Sequence, residues 1–88
     1  MHALEYDTNK STSNQEKHGI DFETSQAIWF DSELVEIQVK SEDEQRFVVI
    51  GRIAKKHWSA VITYRGNTIR IISVRRSRKK EVQLYESE

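Results

Sequence analysis

The side chains of this sequence best equipped for chemistry are its arginines, whose planar guanidinium forks donate paired hydrogen bonds to phosphate or carboxylate. All seven lie in the second half of the 88-residue chain: Arg46, Arg52, Arg65, Arg70, Arg75, Arg76 and Arg78. The run Arg75-Arg76-Ser77-Arg78-Lys79-Lys80 falls at the start of a predicted helix, where cations oppose the helix dipole and gain the helix nothing. That placement favours ligand binding over helix stabilisation, although such runs also occur as plain solvated faces. As a nucleic-acid signal, a basic cluster supplies affinity and not sequence choice. A second group, Lys10, Asn14, Lys17 and His18, recurs at i, i+4, i+7 and i+8 and would share one stripe if helical. A polar stripe of this kind is either a solvated face or a site. The sequence has no zinc-ligand spacing, no Gly-rich phosphate loop and no Ser/His/Asp arrangement, so neither metal nor cofactor is expected.

Positioning these groups takes a small α+β framework. Residues 4–6 form a short strand candidate. Asp7 is a good N-cap and Gly19 a good C-terminal stop, but the Ser, Thr and Asn between them favour a loop or marginal helix. Asp21 caps a second, amphipathic helix with Phe22, Ser25 and Trp29 on one face, ending near residues 30–31. Residues 34–39 alternate apolar and polar as a half-buried strand does. Residues 41–44 are an acidic loop, and 46–53, 58–65 and 68–75 read as three successive strands rich in Ile and Val. Gly66-Asn67 is a two-residue hairpin signal, and Ser77 is expected to cap a last helix running through Glu86. The expectation is an antiparallel four-stranded sheet, plus the short N-terminal strand, with two N-terminal helices and one C-terminal helix.

The turn at Gly66-Asn67 pairs Tyr64 with Ile69, Ile62 with Ile71 and Ala60 with Ser73. Setting Phe47 beside Tyr64, Val49 beside Ile62 and Ile53 beside Trp58 then makes one sheet face almost wholly apolar, and the helices are expected there. On the other face this register puts Arg46 directly across from Arg65, with Arg70 one step away beside Thr63. Like charges opposite each other destabilise a sheet. Such a group is either neutralised by acids, with Glu36 and the 42–44 loop available, or left for a phosphate. Arg75 falls on the face opposite Arg70 unless the strand ends or bulges between them.

Composition bounds the reading. Leu, Ile, Val and Phe make up 22 of 88 residues and the formal net charge is zero, which favours one folded domain over 1–88. The neutrality hides a division: residues 1–44 hold three basic and eleven acidic side chains, a net of −8. Residues 45–88 hold eleven basic and three acidic, a net of +8. The halves either neutralise each other across the fold or present surfaces of opposite preference. The absence of cysteine excludes disulfides and thiolate metal sites. The longest apolar runs, such as Phe47-Val48-Val49-Ile50, are far short of a membrane span, and Met1-His2-Ala3-Leu4-Glu5 has neither region of a signal peptide. A cytoplasmic location is expected, with no membrane partner.

Tyr6-Asp7, Lys10, Asn14, Lys17-His18-Gly19 and Phe22-Glu23 resemble the opening pattern of the BrnT toxins. Arg46-Phe47, Ile50-Gly51, Ile69-Arg70-Ile71-Ile72-Ser73-Val74-Arg75-Arg76, and Glu81 with Tyr85 resemble the same family's closing pattern. The likeness implies a RelE-like fold and a toxin of a type II toxin–antitoxin pair. It further implies a metal-independent endoribonuclease that cuts RNA and halts translation. The implied partner is a BrnA-type antitoxin with a ribbon-helix-helix domain, forming a heterotetramer and touching DNA only through that antitoxin.

RNA cleavage without metal needs a base for the 2′-hydroxyl, cations for the phosphorane and an acid for the 5′-oxygen. The arginines suit the middle role. For proton transfer the choice lies among His18, His57, Glu36, Tyr64 and Tyr85; histidine is the residue type that titrates nearest neutrality, and His18 lies in the family-like Lys-His-Gly. A helix-end histidine bonding a backbone carbonyl is the competing reading of His18. His57 is expected to be solvated, His2 is terminal and carries no weight, and Tyr85, Trp29 and Trp58 read first as packing residues. The expected catalytic set is therefore Arg70, Arg75 and His18, with Arg46, Arg52, Arg65, Arg76, Arg78 and Lys79 binding RNA. The alternative is a non-catalytic basic module that binds RNA or protein.

Overall fold

The structure is a computed structural model that describes residues 3–87; Met1, His2 and Glu88, and with them the readings of the Met1-His2 terminus, lie outside the described residues. The elements run β1 (Ala3–Glu5), α1 (Thr8–His18), α2 (Phe22–Ser25) continued by a 3-10 turn (Gln26–Phe30), β2 (Val35–Val39), β3 (Arg46–Ile53), β4 (Lys56–Arg65), β5 (Thr68–Arg76) and α3 (Lys79–Glu86). They build a five-stranded sheet of order β1-β5-β4-β3-β2, antiparallel except for the parallel β1–β5 pair.

α1 is a full helix although its residues are weak helix formers. Its ends are secured: the Asp7 carboxylate accepts from the Lys10 N–H at 3.1 Å, and Gly19 ends the helix at φ 78°, a left-handed conformation that costs glycine little. Its attachment is polar. The buried Asn14 amide donates to the carbonyls of Val74 and Ile20 at 2.8 Å each and accepts from the Val74 N–H at 3.1 Å. Asn14 thereby completes the edge of β5 beyond the reach of β1, and Ser11 accepts from the Phe22 N–H at 2.9 Å. No apolar stripe announces such a helix, because buried hydrogen bonds hold it.

The main core lies between the sheet and the α1–α2 layer, with Ile20, Phe22, Ile28, Val49, Trp58, Ala60, Ile62, Ile69, Ile71 and Val74 buried. Each large aliphatic or aromatic side chain there contributes about 1.5–3 kcal/mol from burial. The 3-10 turn approaches β3 so closely that a Cβ on Gly51 would stand 2.8 Å from the Ile28 side chain and 3.2 Å from its carbonyl oxygen.

Three expectations about the sheet are corrected. First, β3 and β4 turn through only Ala54-Lys55, with Ala54 at φ 58°, so Ile53 pairs with Lys56. Phe47 therefore faces Ile62, Val49 faces Ala60 and Gly51 faces Trp58, a two-residue shift that leaves every side chain on its expected face. Arg46 consequently lies across from Val39 of β2 and not from Arg65, which pairs with Thr68. Second, the β4–β5 pairing keeps Tyr64–Ile69 and Ile62–Ile71, then bulges: Val61 faces Ser73 and Ala60 faces Val74, leaving Ile72 as the extra residue. Third, the helices do not share one face. α3 crosses the opposite side, where buried Tyr85 packs with Val48 and Ile50. Ser77 is not its cap either: Arg78 is the N-cap residue, its N–H bonded to the Glu81 carboxylate at 2.8 Å.

Candidate functional site

The bulge decides which arginines share a surface. Side chains alternate along a strand, so the odd separation of Arg70 and Arg75 would put them on opposite faces. The extra residue at Ile72 cancels that, and Arg70, Ser73 and Arg75 all lie on the α3-bearing face, opposite Thr63, Val61 and Ser59 respectively. This face has two ends of different character.

At the α3 end, Arg75 is committed. Its two guanidinium nitrogens donate to the two Glu81 oxygens at 2.7 and 2.8 Å. Glu81 also accepts from the Ser59 hydroxyl at 2.9 Å, and Ser59 meets Ser77 at 2.8 Å. The Arg75 bonds, reinforced by those from the Arg78 N–H and Ser59, outweigh burial and hold the Glu81 carboxyl down to about 2. Beyond it, Tyr85 donates to Asp31 at 2.8 Å. Burial, followed by that bond, pushes the Tyr85 hydroxyl up to about 12. Burial also works to raise Asp31, but bonds from the Arg52 and Glu33 N–H groups and from Tyr85 outweigh it and keep its carboxyl low. His57, which belongs to β4 and not to a solvated loop, stacks edge-on against Tyr85 and lies 3.4 Å from Glu86, too poorly aligned for a hydrogen bond.

The other end is open. Arg70 is half-buried beside Thr63, with Glu5 of β1 at 3.7 Å, a single contact whose carboxylate side chain is 42% exposed. An exposed pair of that kind is worth at most about 1 kcal/mol, so a phosphate can take its place. Next to it, where the bulge separates β5 from α1, a cleft of about 180 Å³ is lined by Lys10, Ser13, Asn14, Lys17, His18, Ile72 and Ser73. Asn14 is the spacer of this cleft: by binding the β5 edge it holds the Lys10, Lys17 and His18 side of α1 against the bulge. Two lysines, a histidine and a hydroxyl around a small concavity can bind an anion and move a proton within it.

Of the expected catalytic residues, His18 thus lines the cleft, Arg70 shares the face onto which Ser73 opens, and Arg75 is tied up by Glu81. Arg46 lies on the same face as Arg70, with its Nε buried and unbonded. Arg65 is exposed at the β4–β5 turn, and Arg52 is exposed at the far end of β3. Arg76 is on the opposite face, its guanidinium 5.5 Å from the Trp58 ring centre. Arg78 and Lys79 are exposed at the start of α3. Glu36 is not a neutraliser of Arg46: it accepts from Tyr64 at 2.6 Å, and burial and this bond push Tyr64 up to about 12. Lys10, Lys17 and Ser73 line the cleft without being among the expected site residues. The helical stripe pointed to the two lysines, whereas nothing in the sequence marks Ser73 without the bulge. Among the described residues no three His, Asp or Glu side chains gather as metal ligands.

A larger concavity, about 950 Å³, is formed by residues 38–46 around the β2–β3 turn. It carries Glu42, Asp43 and Glu44 and is electrostatically wrong for a polyanion. The sheet order therefore sorts the charge of the sequence: the basic cleft lies at β5, and acids collect three strands away at β2.

The family model described as "Ribonuclease toxin, BrnT, of type II toxin-antitoxin system" matches residues 6–81. A search of the curated proteins gave no match. The matched span contains α1, the bulge, Arg70 and Glu81.

Proposed function

The chain belongs to the BrnT ribonuclease toxins of type II toxin–antitoxin systems, and from that premise we propose that it cleaves RNA without a metal ion, at the open end of the α3-bearing face. The carrying observation is the cleft at the β5 bulge, where Lys10, Lys17, His18 and Ser73 converge, with Ser73 on the sheet face that also carries Arg70.

The chemistry follows from the groups available. His18 takes the proton of a 2′-hydroxyl, and that oxygen attacks the adjacent phosphorus. Arg70 with Lys10 and Lys17 stabilises the extra negative charge of the phosphorane. The bond to the 5′-oxygen breaks, a proton reaches it, and a cyclic phosphate and a free 5′-hydroxyl remain. Glu36, Tyr64, His57 and Tyr85 are poor rivals of His18 as the base. Glu36 and Tyr64 bind each other, while His57 packs against Tyr85 of α3; both tyrosines hold their protons far above neutrality.

In the cell this activity would halt translation in the cytoplasm, and a BrnA-type ribbon-helix-helix antitoxin would neutralise it in a heterotetramer that meets DNA through the antitoxin. No helix among the described residues is long and apolar enough to cross a membrane. The test is incubation of the purified protein with single-stranded RNA in EDTA. Loss of intact RNA in wild type but not in Arg70→Ala supports the reading. A metal requirement overturns the metal-free mechanism, and salt-sensitive binding without turnover overturns it in favour of a binding module.

A further inference from the structure

We propose that the outer edge of β2 is the docking strand for the antitoxin, accepting an extended segment in which apolar residues alternate with Lys or Arg. The inference rests on family membership, which supplies a protein antitoxin, and is independent of the cleavage chemistry.

Four observations meet at this edge. Among the described residues nothing pairs with β2 on its outer side, so alternate N–H and C=O groups of Val35–Val39 face outward. Its two faces differ in a way an added strand can read. Val35, Ile37 and Val39 are half-buried beside Val48, Ile50 and Val61, while Glu36 and Gln38 are exposed on the other side. Phe30, shortly ahead of β2 in the chain, is 76% exposed, a large aromatic surface left uncovered. At the other end Arg46, cross-strand from Val39, is half-buried and has no acidic partner among the described residues.

Charge chooses the occupant. Glu33, Glu36, Glu42, Asp43 and Glu44 flank the edge against Lys40 and Arg46. A second copy pairing edge to edge would bring these acids against their own images, whereas a basic segment is attracted. RNA is repelled. An added strand would lie roughly 19 Å from β5, four strand spacings away, so docking there leaves the Arg70 cleft to be covered by other parts of the antitoxin.

The experiment is backbone hydrogen exchange on the toxin alone and in complex with its co-expressed cognate antitoxin. The expected result is strong slowing across residues 35–39 in the complex. Two variants at exposed positions sharpen it: Phe30→Ser, and the double reversal Glu42→Lys, Asp43→Lys. Each is expected to weaken the complex roughly tenfold or more at low salt, with RNA cleavage by the free toxin unchanged. Unprotected β2 amides in the complex, or wild-type affinity in both variants, overturns the proposal. Protection confined to α1 and β5 also overturns it while leaving the nuclease reading intact.

Discussion

Arg70 and Arg75 stand on one strand and one face, yet the two ends of that face treat them in opposite ways. Arg75 is gripped by both oxygens of Glu81, whose own position is fixed by Ser59 and the start of α3. Arg70 has one exposed carboxylate at 3.7 Å and a basic cleft beside it. A guanidinium satisfied by a fixed carboxylate holds structure together, and one loosely paired is free for a substrate. Residue type cannot separate these roles; the geometry of the acidic neighbour does.

The comparison breaks most visibly by mutation. Arg70→Ala is expected to lower RNA cleavage at least about 100-fold, in line with removing one electrostatic contact from a transition state, while the melting temperature stays near wild type. Glu81→Ala should do the reverse, costing roughly 2–3 kcal/mol by leaving Arg75 half-buried and unpaired. In a domain this size that is a drop on the order of 10–20 °C in thermal melting. A large activity loss without destabilisation in Glu81→Ala would show that Arg75 and Glu81 serve the reaction directly. His18→Ala is expected to reduce cleavage about 10–100-fold, as loss of a general base does.

Acid should find the α3 end first. The Glu81 carboxyl is held to about 2 against an ordinary 4.5, so its contribution is complete above pH 4.5 and is lost as pH falls toward about 2. Asp31 is shifted in the same direction and adds to the loss over the acid range. Melting curves from pH 7 down to 2.5 should therefore show a steep fall in wild type and a shallower one in Glu81→Gln. The smallest effect concerns the β3–β4 turn. Ala54→Gly should relieve the positive φ at the expense of a more flexible unfolded chain, for a net gain of about 0.5 kcal/mol in denaturant unfolding.

That turn also shows where the sequence ceased to be legible. Gly66-Asn67 announces a two-residue hairpin, and the pairing deduced from it holds up to Ile62–Ile71. Ala54-Lys55 makes an equally tight turn, but alanine rarely adopts φ 58°, so the pattern suggested a longer loop and displaced the β3–β4 register by two residues. Because side chains repeat every two residues, the core face survived the displacement and only the cross-strand neighbours changed. The supposed opposition of Arg46 and Arg65 was the casualty. α1 was obscured for another reason: periodicity detects apolar faces, and this helix is docked by Asn14 and Ser11.

By itself the sequence determined the α+β class, both caps of α1, the inward set of Ile and Val, the family likeness and the gathering of cations in the second half. These follow from local propensity and from the period of the strands, which neighbouring residues express without help. Tertiary structure alone decided that Ile72 bulges, that Arg70 and Arg75 therefore share a face, that Glu81 claims one of them, and that His18 meets Ser73 across a cleft. Each of these depends on pairing between distant segments, where one extra residue in one strand turns every later side chain over.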